Sequence, residues 1–525
     1  MPGHVRYFFN HNFKKMKISR ILITASFLSG AIGAKAQLSL GGHFYGEEAL
    51  RFSESKISGS ARMQGMGGGY VSLGADATNN YTNPAGLGFY NRSELSITPV
   101  LNSINVSSVY AGSQFGRSTT SPNIGQLGLV FSNGGVGTRK KRSAFAVTYS
   151  RQNSFLNDFR YNGTNQRSSM MDFFAEKATL RGADSGVLDD EYDPSRGTAY
   201  TSTAMYYQAF MIDPAQNGGA PYRKLETALP VDQTGNISTT GSTSQWNLGY
   251  GINFDDKTYI GLGIGFVRLN YDNTNTHSER FVNGVVFDGF DHSENLYVRG
   301  SGVNFSLGAI YKATEGISLG ASLTTPSWIS ISEIYNSNIN TSPKPGNGVI
   351  PTGASTNVST EENVFNYSLA TPLRASGGAT FFFPNKAGFI TADAEYVGYR
   401  GMGIKDSEDK DWSADQKRGI QTTYVDAVNV KVGAEYRIQN IRVRAGAKYM
   451  PDPYKQKSDN LDRSQMLFTG GLGYRSSKFF IDLAGVFNQF KGAYTPYELA
   501  NSQNYGSAAL TTKATSFVVS VGTFF

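Results

Sequence analysis

Trp246-Asn247-Leu248-Gly249-Tyr250-Gly251-Ile252-Asn253, then Asp255-Asp256-Lys257, then Ile260-Gly261-Leu262-Gly263-Ile264-Gly265-Phe266 read together as one hairpin. Large apolar side chains take every second position, with glycine or asparagine between them, the period of a strand with one apolar face. The polar residues joining the two runs fit a short turn. The pattern recurs on both sides. Val303, Phe305, Leu307 and Ala309 precede Ile317, Leu319, Ala321 and Leu323. Val430, Val432, Ala434 and Tyr436 precede Ile441, Val443, Ala445 and Ala447, and Phe517, Val519, Val521, Thr523 and Phe525 close the chain. With segments near 93–106, 123–132, 142–151, 372–383, 388–399, 465–475 and 478–489, the reading predicts about fourteen strands of ~10–12 residues, the length of a tilted membrane strand. On the fifth, the apolar phase slips from Phe266 to Val267, Leu269 and Tyr271, which predicts a bulge.

The connections discriminate further. Asp255-Asp256-Lys257, Lys312 to Gly316, Pro384-Asn385-Lys386, Ile438-Gln439-Asn440 and Arg475 to Lys478 are short. They alternate with long polar stretches near 272–295, 326–371, 400–425, 450–464 and 490–513. This sorting predicts an all-β fold, a transmembrane antiparallel up-and-down barrel with short periplasmic turns and long extracellular loops. A soluble sandwich has no reason to sort its loops by side. Lipid satisfies no polar group, so the apolar set should face outward and the polar set the lumen. Asp393, Glu395, Lys431, Glu435, Arg437, Arg442, Arg444 and Lys448 share the polar phase, and charges of both signs predict a salt-bridged lumen network.

The composition agrees. Across 525 residues there are 60 Gly, no Cys, 13% aromatics and 17% charged residues. Low charge with many aromatics opposes disorder, and no apolar run is long enough for a membrane helix. Lys14, Lys15, Lys17 and Arg20 precede an apolar stretch from Ile21 to Ile32, followed by Ala34-Lys35-Ala36. That pattern predicts an export signal over 1–36, with Met16 an alternative start and Gln37 the first mature residue. Removing its six cations takes the formal charge from +7 to +1, and a nucleic-acid partner loses its main support. An exported chain without Cys is no disulfide-stapled fold.

Between Gln37 and Arg92 lie Ala61-Arg62-Met63-Gln64-Gly65-Met66-Gly67-Gly68-Gly69-Tyr70-Val71, Asp76-Ala77-Thr78 and Asn83-Pro84-Ala85-Gly86-Leu87. No Gly-Lys-Ser/Thr follows the glycines, so this is no phosphate loop. The segment resembles the N-terminal hatch of the FadL/TodX (OMPP1) family of outer-membrane transporters of hydrophobic compounds. Thr371-Pro372-Leu373-Arg374 and the strand from Asp393 to Tyr396 also look like that family's later strands. The resemblance implies a hatch over 37–92 inside a fourteen-stranded barrel over 93–525, with Asn83, Pro84 and Ala85 at the hatch gate. It further implies uptake of long-chain fatty acids or aromatic hydrocarbons across the outer membrane of a Gram-negative bacterium, with the hatch shifting and the ligand leaving sideways through a kinked third strand. Ser143 to Arg151 holds no Gly or Pro, so no kink is evident there.

The 152–242 insertion is too long for an idle loop. Ser169 can cap a helix with Asp172 in its first turn. Met170, Phe173, Phe174, Tyr206, Phe210 and Met211 offer adaptable apolar surface for ligand capture, or pack the loop on itself. Asp189-Asp190-Glu191-Tyr192-Asp193 lacks the spacing of a calcium loop and reads as a solvated acidic run. His43, His277 and His292 read as surface residues rather than haem ligands. No nucleophile–base–carboxylate arrangement is apparent, so an enzyme is not expected, nor any metal or cofactor. Arg139-Lys140-Lys141-Arg142 suits solvation or lipid phosphates. Expected partners are outer-membrane lipid, a small hydrophobic ligand and the barrel-assembly machinery reading Phe525, with the chain a monomer. The rival readings are a barrel serving type IX protein secretion and a surface receptor or adhesin.

Overall fold

The computed structural model describes residues 45–133, 141–216, 218–457 and 460–525. The export signal, Gln37, His43, Arg139 and Lys140 lie outside the described residues. The wall strands are β1 (Glu94–Tyr110), β2 (Ser113–Asn133), β3 (Lys141–Ser154), β4 (Val231–Phe254) and β5 (Thr258–Phe281). β6 (Phe287–Lys312), β7 (Ile317–Thr324), β8 (Arg374–Phe382), β9 (Gly388–Val397) and β10 (Ala427–Ile438) follow. β11 (Ile441–Met450), β12 (Gln465–Arg475), β13 (Phe479–Tyr494) and β14 (Ala508–Phe524) complete the set. Consecutive strands pair antiparallel throughout. β14 returns to β1, from Glu94↔Phe524 to Val109↔Ala509. Ser93 and Phe525 exchange two backbone hydrogen bonds of 3.0 Å at that join. The result is a closed fourteen-stranded barrel.

The predicted apolar set faces outward: Leu262, Phe266, Leu307, Val432, Leu472 and Phe517 are all exposed. Above this belt the two faces exchange character. On β5, Arg268 points outward while Val267, Leu269 and Tyr271 are buried inside. The ladders to β4 and β6 run unbroken from Thr258 to Arg280, so the expected bulge does not exist. The side-chain phase is constant. What changes is the solvent outside, from lipid to water, and the filling inside, from polar to apolar. The same change hid much strand. Residues 272–281 and 287–295 continue the β5–β6 hairpin, and Trp328–Pro343 and Asn363–Ala370 are strands of the long-loop end.

Tyr45–Arg92 packs against the inner wall. It comprises helix α1 (Gly46–Ser53), single turns at Ala61–Gln64 and Asn79–Thr82, and a 3-10 turn at Pro84–Phe89. Its backbone lies so close to the wall that only glycine fits opposite. A Cβ on Gly261 would stand 2.2 Å from the Pro84 carbonyl carbon, one on Gly320 2.1 Å from the Val71 carbonyl oxygen, and one on Gly446 2.1 Å from Met66. The glycines that alternate with leucine and isoleucine are therefore the seat of the hatch.

Gly261→Val should leave the barrel closed but lower its unfolding temperature and expose the hatch to protease. Gly377→Val, where an added Cβ meets nothing within 4 Å, should change neither. Gel mobility on heating and trypsin digestion measure both, and equal behaviour of the two variants would contradict the close fit.

Candidate functional site

At the level of the belt, buried charges lock the hatch to the wall. Ser60 Oγ accepts from the Met63 amide at 3.2 Å and donates to Asp76 at 2.8 Å. Arg62 lies 3.8 Å from Asp76 and 3.6 Å from Glu435 of β10. Arg444 of β11 bridges Glu435 at 2.8 Å and Asp482 of β13 at 2.6 Å. Asp393 accepts from the Val71 amide at 2.8 Å and faces Lys431 at 3.5 Å, while Lys431 also donates to the Gly69 carbonyl. Glu395 pairs with Arg374 at 3.2 Å. Removing one member of a buried pair strands its partner, at about 3–5 kcal/mol. Asp393, Glu395, Lys431, Glu435 and Arg444, which share the polar phase of the sequence, are turned to the inside of the wall. Their partners, though, are hatch and wall groups, not open water. Arg442 stands apart, donating to the Gln439 and Ile441 carbonyls at the turn.

Asn83 sits where the resemblance implies a gate. Its Nδ2 reaches the Val71 carbonyl, the Ala309 carbonyl of β6 at 3.3 Å and the Ala321 carbonyl of β7 at 3.2 Å, while Oδ1 accepts from the Ala85 amide at 3.1 Å. Pro84 and Ala85 start the turn pressed against Gly261.

Above the belt, α1 fills an apolar chamber. Ala49, Leu50 and Phe52 pack among Phe155, Leu269, Tyr271, Val298, Ile331 and Trp412. Two carboxyl groups intrude. Tyr367 donates to Glu48 at 2.7 Å and Tyr45 to Glu333 at 3.2 Å, and Glu333 Oε2 is buried without a hydrogen-bond partner. Burial, then the charge of Glu48, pushes the Glu333 carboxyl up to about 9. Burial likewise raises that of Glu48, despite Arg51.

The 152–242 insertion folds as a cap. Ser169 accepts from the Met171 amide at 3.1 Å and Asp172 from the Ser169 amide at 2.9 Å, starting helix α2 (Met170–Arg181). Met170, Phe174, Tyr206 and Met211 are buried in the cap's own core, with Phe173 and Phe210 half-buried against it. His277 and His292, expected at the surface, are buried: His277 bonds Tyr161 at 2.6 Å and Glu279 at 3.0 Å, and His292 bonds Ser337 at 2.8 Å. The acidic run is not wholly solvated either, for buried Glu191 pairs with Arg181.

The wall has one seam that sequence reading missed. β2 pairs with β3 only from Asn133 to Gln126. Above that, Ser113–Ile124 pairs with β1 alone, and the facing strand Asn157–Asn165 pairs with β4 alone. An extra residue sits at each lip: Gly125 on β2, where the register shifts, and Gln152 on β3. Side chains close the gap. Arg117 pairs with Asp158 at 2.7 Å, and Thr119 donates to Asp158 at 3.3 Å. The Lys56 amide of the hatch donates to the Gln152 carbonyl at 3.3 Å, joining hatch to lip. A recess of about 100 Å³ opens there, lined by Lys56, Ile57, Gln64, Val100, Ile104, Asn123, Arg151 and Asn153 among others. Neither Lys56 nor Arg151 forms an ion pair among the described residues, and Arg151 Nε has no hydrogen-bond partner. Pro122 was the available signal, since proline inside a sheet marks an edge or bulge.

No protein-family model and no curated protein matches the sequence. Among solved structures, the chain is similar over 90% of its length to a FadL homologue of Pseudomonas aeruginosa, at TM-score 0.52 and 13% identity, covering 98% of that chain. It is equally similar to the P. putida toluene transporter TodX, at TM-score 0.52 and 13% identity, covering 90% of this chain and 99% of that one. At this identity the likeness is one of fold: a FadL-like barrel preceded by a segment of short helices.

Because the Glu333 carboxyl is raised in the docked state, it favours docking of α1 below the ordinary carboxylate range, and that contribution is lost as pH rises through about 9. Fluorescence of Trp412, whose ring lies 5.4 Å from Tyr45, should change over that range, and in Glu333→Gln the part of the change near pH 9 should be lost, leaving only the contribution of Glu48. An identical titration in both would contradict the assignment.

Proposed function

We propose that this chain is an outer-membrane channel for uptake of small hydrophobic molecules, long-chain fatty acids or aromatic hydrocarbons, through a hatch-gated barrel. Residues 1–36 act as its export signal, 37–92 as its hatch and 93–525 as its barrel, and Phe525 presents the C-terminal strand to the assembly machinery. The reading makes it a transporter without catalysis, working by binding, desolvation and a gated path. The observation that carries it is the recess beside the β2–β3 seam, where the hatch touches the wall lip through Lys56 and Gln152.

The path follows from the polarity sequence. Phe173 and Phe210, half-buried at the edge of the cap, receive ligand at the long-loop end, and Met170, Phe174, Tyr206 and Met211 form the apolar core behind them. The apolar chamber around α1 takes it out of water, at about 25 cal/mol per Å² of apolar surface. Asn83, Pro84 and Ala85 hold the gate. Movement of the hatch then pulls on Gln152 and opens the seam, which begins beside belt residue Ile124. Between the two cargo classes, the unpaired cations Lys56 and Arg151 favour a molecule with a carboxylate head. The FadL-like fold and the TodX likeness support transport in general.

The chain has no Cys, so a cross-link across the seam is unambiguous. The variant T119C/D158C, once oxidised, should lower uptake of a radiolabelled long-chain fatty acid by about tenfold and recover on reduction. Full uptake through a locked seam would contradict sideways exit. Mass spectrometry of the detergent-purified protein should find a bound fatty acid or hydrocarbon; a stoichiometric protein partner and no lipid would contradict the transport reading.

A further inference from the structure

At the short-turn end of the barrel exposed cations outnumber exposed acidic groups. At the long-loop end cations and acidic groups are mixed, with Arg280 paired to Asp291 at 2.8 Å and Arg299 to Asp272 at 2.5 Å. At the short-turn end, exposed Lys257, Lys386 and Lys478 on three turns, with Lys141 and Arg92 at adjoining strand ends, form no ion pair among the described residues. Asp256 at that level is taken by Arg142, leaving Asp255 and Glu315. Three of the five cations lie against aromatic rings: Arg92 over Phe524 at 4.9 Å, Lys141 over Phe254 at 5.7 Å and Lys257 over Tyr311 at 5.5 Å. Aromatic rings at the border of an apolar belt lie at headgroup depth. The cations beside them stand at the height of lipid phosphates.

We propose that this rim binds the headgroups of anionic phospholipid, of the phosphatidylglycerol type, in the leaflet at the short-turn end. The inference rests on the membrane reading above and extends it to a lipid class. The arrangement favours lipid over a protein partner. The five cations sit at the β14–β1, β2–β3, β4–β5, β8–β9 and β12–β13 ends, spread around the circumference at one height. Many small anionic groups fit such a ring; a single docking protein would need them gathered on one side. A zwitterionic headgroup carries no net charge to reward them. Solvation alone gives no reason for three of these cations to stand against aromatic rings at that level.

The test uses the full chain in phosphatidylcholine vesicles holding a minority of phosphatidylglycerol, with spin-labelled phosphatidylglycerol or phosphatidylcholine as the probe. The immobilised fraction should favour phosphatidylglycerol by about threefold, and raised salt should weaken the preference. The triple variant K257Q/K386Q/K478Q should lose most of that preference while keeping its heat-modifiable gel mobility and its uptake. Equal immobilisation of both probes, or an unchanged preference in the variant, would overturn the proposal. Flotation of the vesicles separates the two failures: a protein that fails to float contradicts the membrane reading, and one that floats without lipid preference contradicts only this inference.

Discussion

Every backbone amide and carbonyl in the bilayer core must find a partner within the protein, since lipid offers none. The join of β14 to β1 meets that demand by removing the sheet's free edges. Once the wall is closed, outward positions must be apolar where they meet lipid, and the inner positions are free to be small, polar or charged. The belt, the glycine-lined interior and the buried ion pairs follow from that division. So does the reversal on β5 at Phe266, where one strand crosses from lipid to water without any change of register.

The interior is filled, not open. Glycines at 261, 320 and 446 let hatch backbone lie against wall backbone, and the Arg62–Glu435–Arg444–Asp482 chain fixes where it lies. Apolar packing alone would hold a hatch without choosing its position. Charges that are costly to strand make one seat much better than its neighbours. The seam is the opposite design. There the ladder stops, and an ion pair, one hydroxyl contact and the hatch's bond to Gln152 stand in for backbone bonds. A wall closed by side chains is the part of a barrel most easily opened.

The barrel was legible because lipid imposes period two on its outer face, and the sorted loops gave its closure and polarity. The lumen charges were legible for the same reason: Asp393, Lys431, Glu435 and Arg444 share the phase of the polar set. What alternation could not show was anything depending on a partner distant in sequence. Arg62, Asp76 and Asp482 complete the ion network from other segments, and Lys56 of the hatch meets Gln152 at the lip of the wall. The strands above the belt look like loops in sequence because water outside them removes the apolar signal. The slip at Val267 resembles a bulge in sequence because a strand leaving lipid for water changes its apolar phase just as an inserted residue does. His277 and His292 looked like surface residues because nothing local in a polar stretch reveals that a cap closes over it.

The central claim is that one uninterrupted strand carries its apolar face outward in lipid and inward above it. Single cysteines placed in turn at Ile260, Leu262, Phe266, Val267, Arg268, Leu269 and Asn270 of this Cys-free chain, each labelled and quenched by brominated lipid or by a water-soluble quencher, test it directly. Positions 260, 262 and 266 should be quenched by lipid, 268 and 270 by the aqueous quencher, and 267 and 269 by neither. Lipid quenching at 267 and 269 would mean that the strand does turn over at Phe266, and would contradict the account.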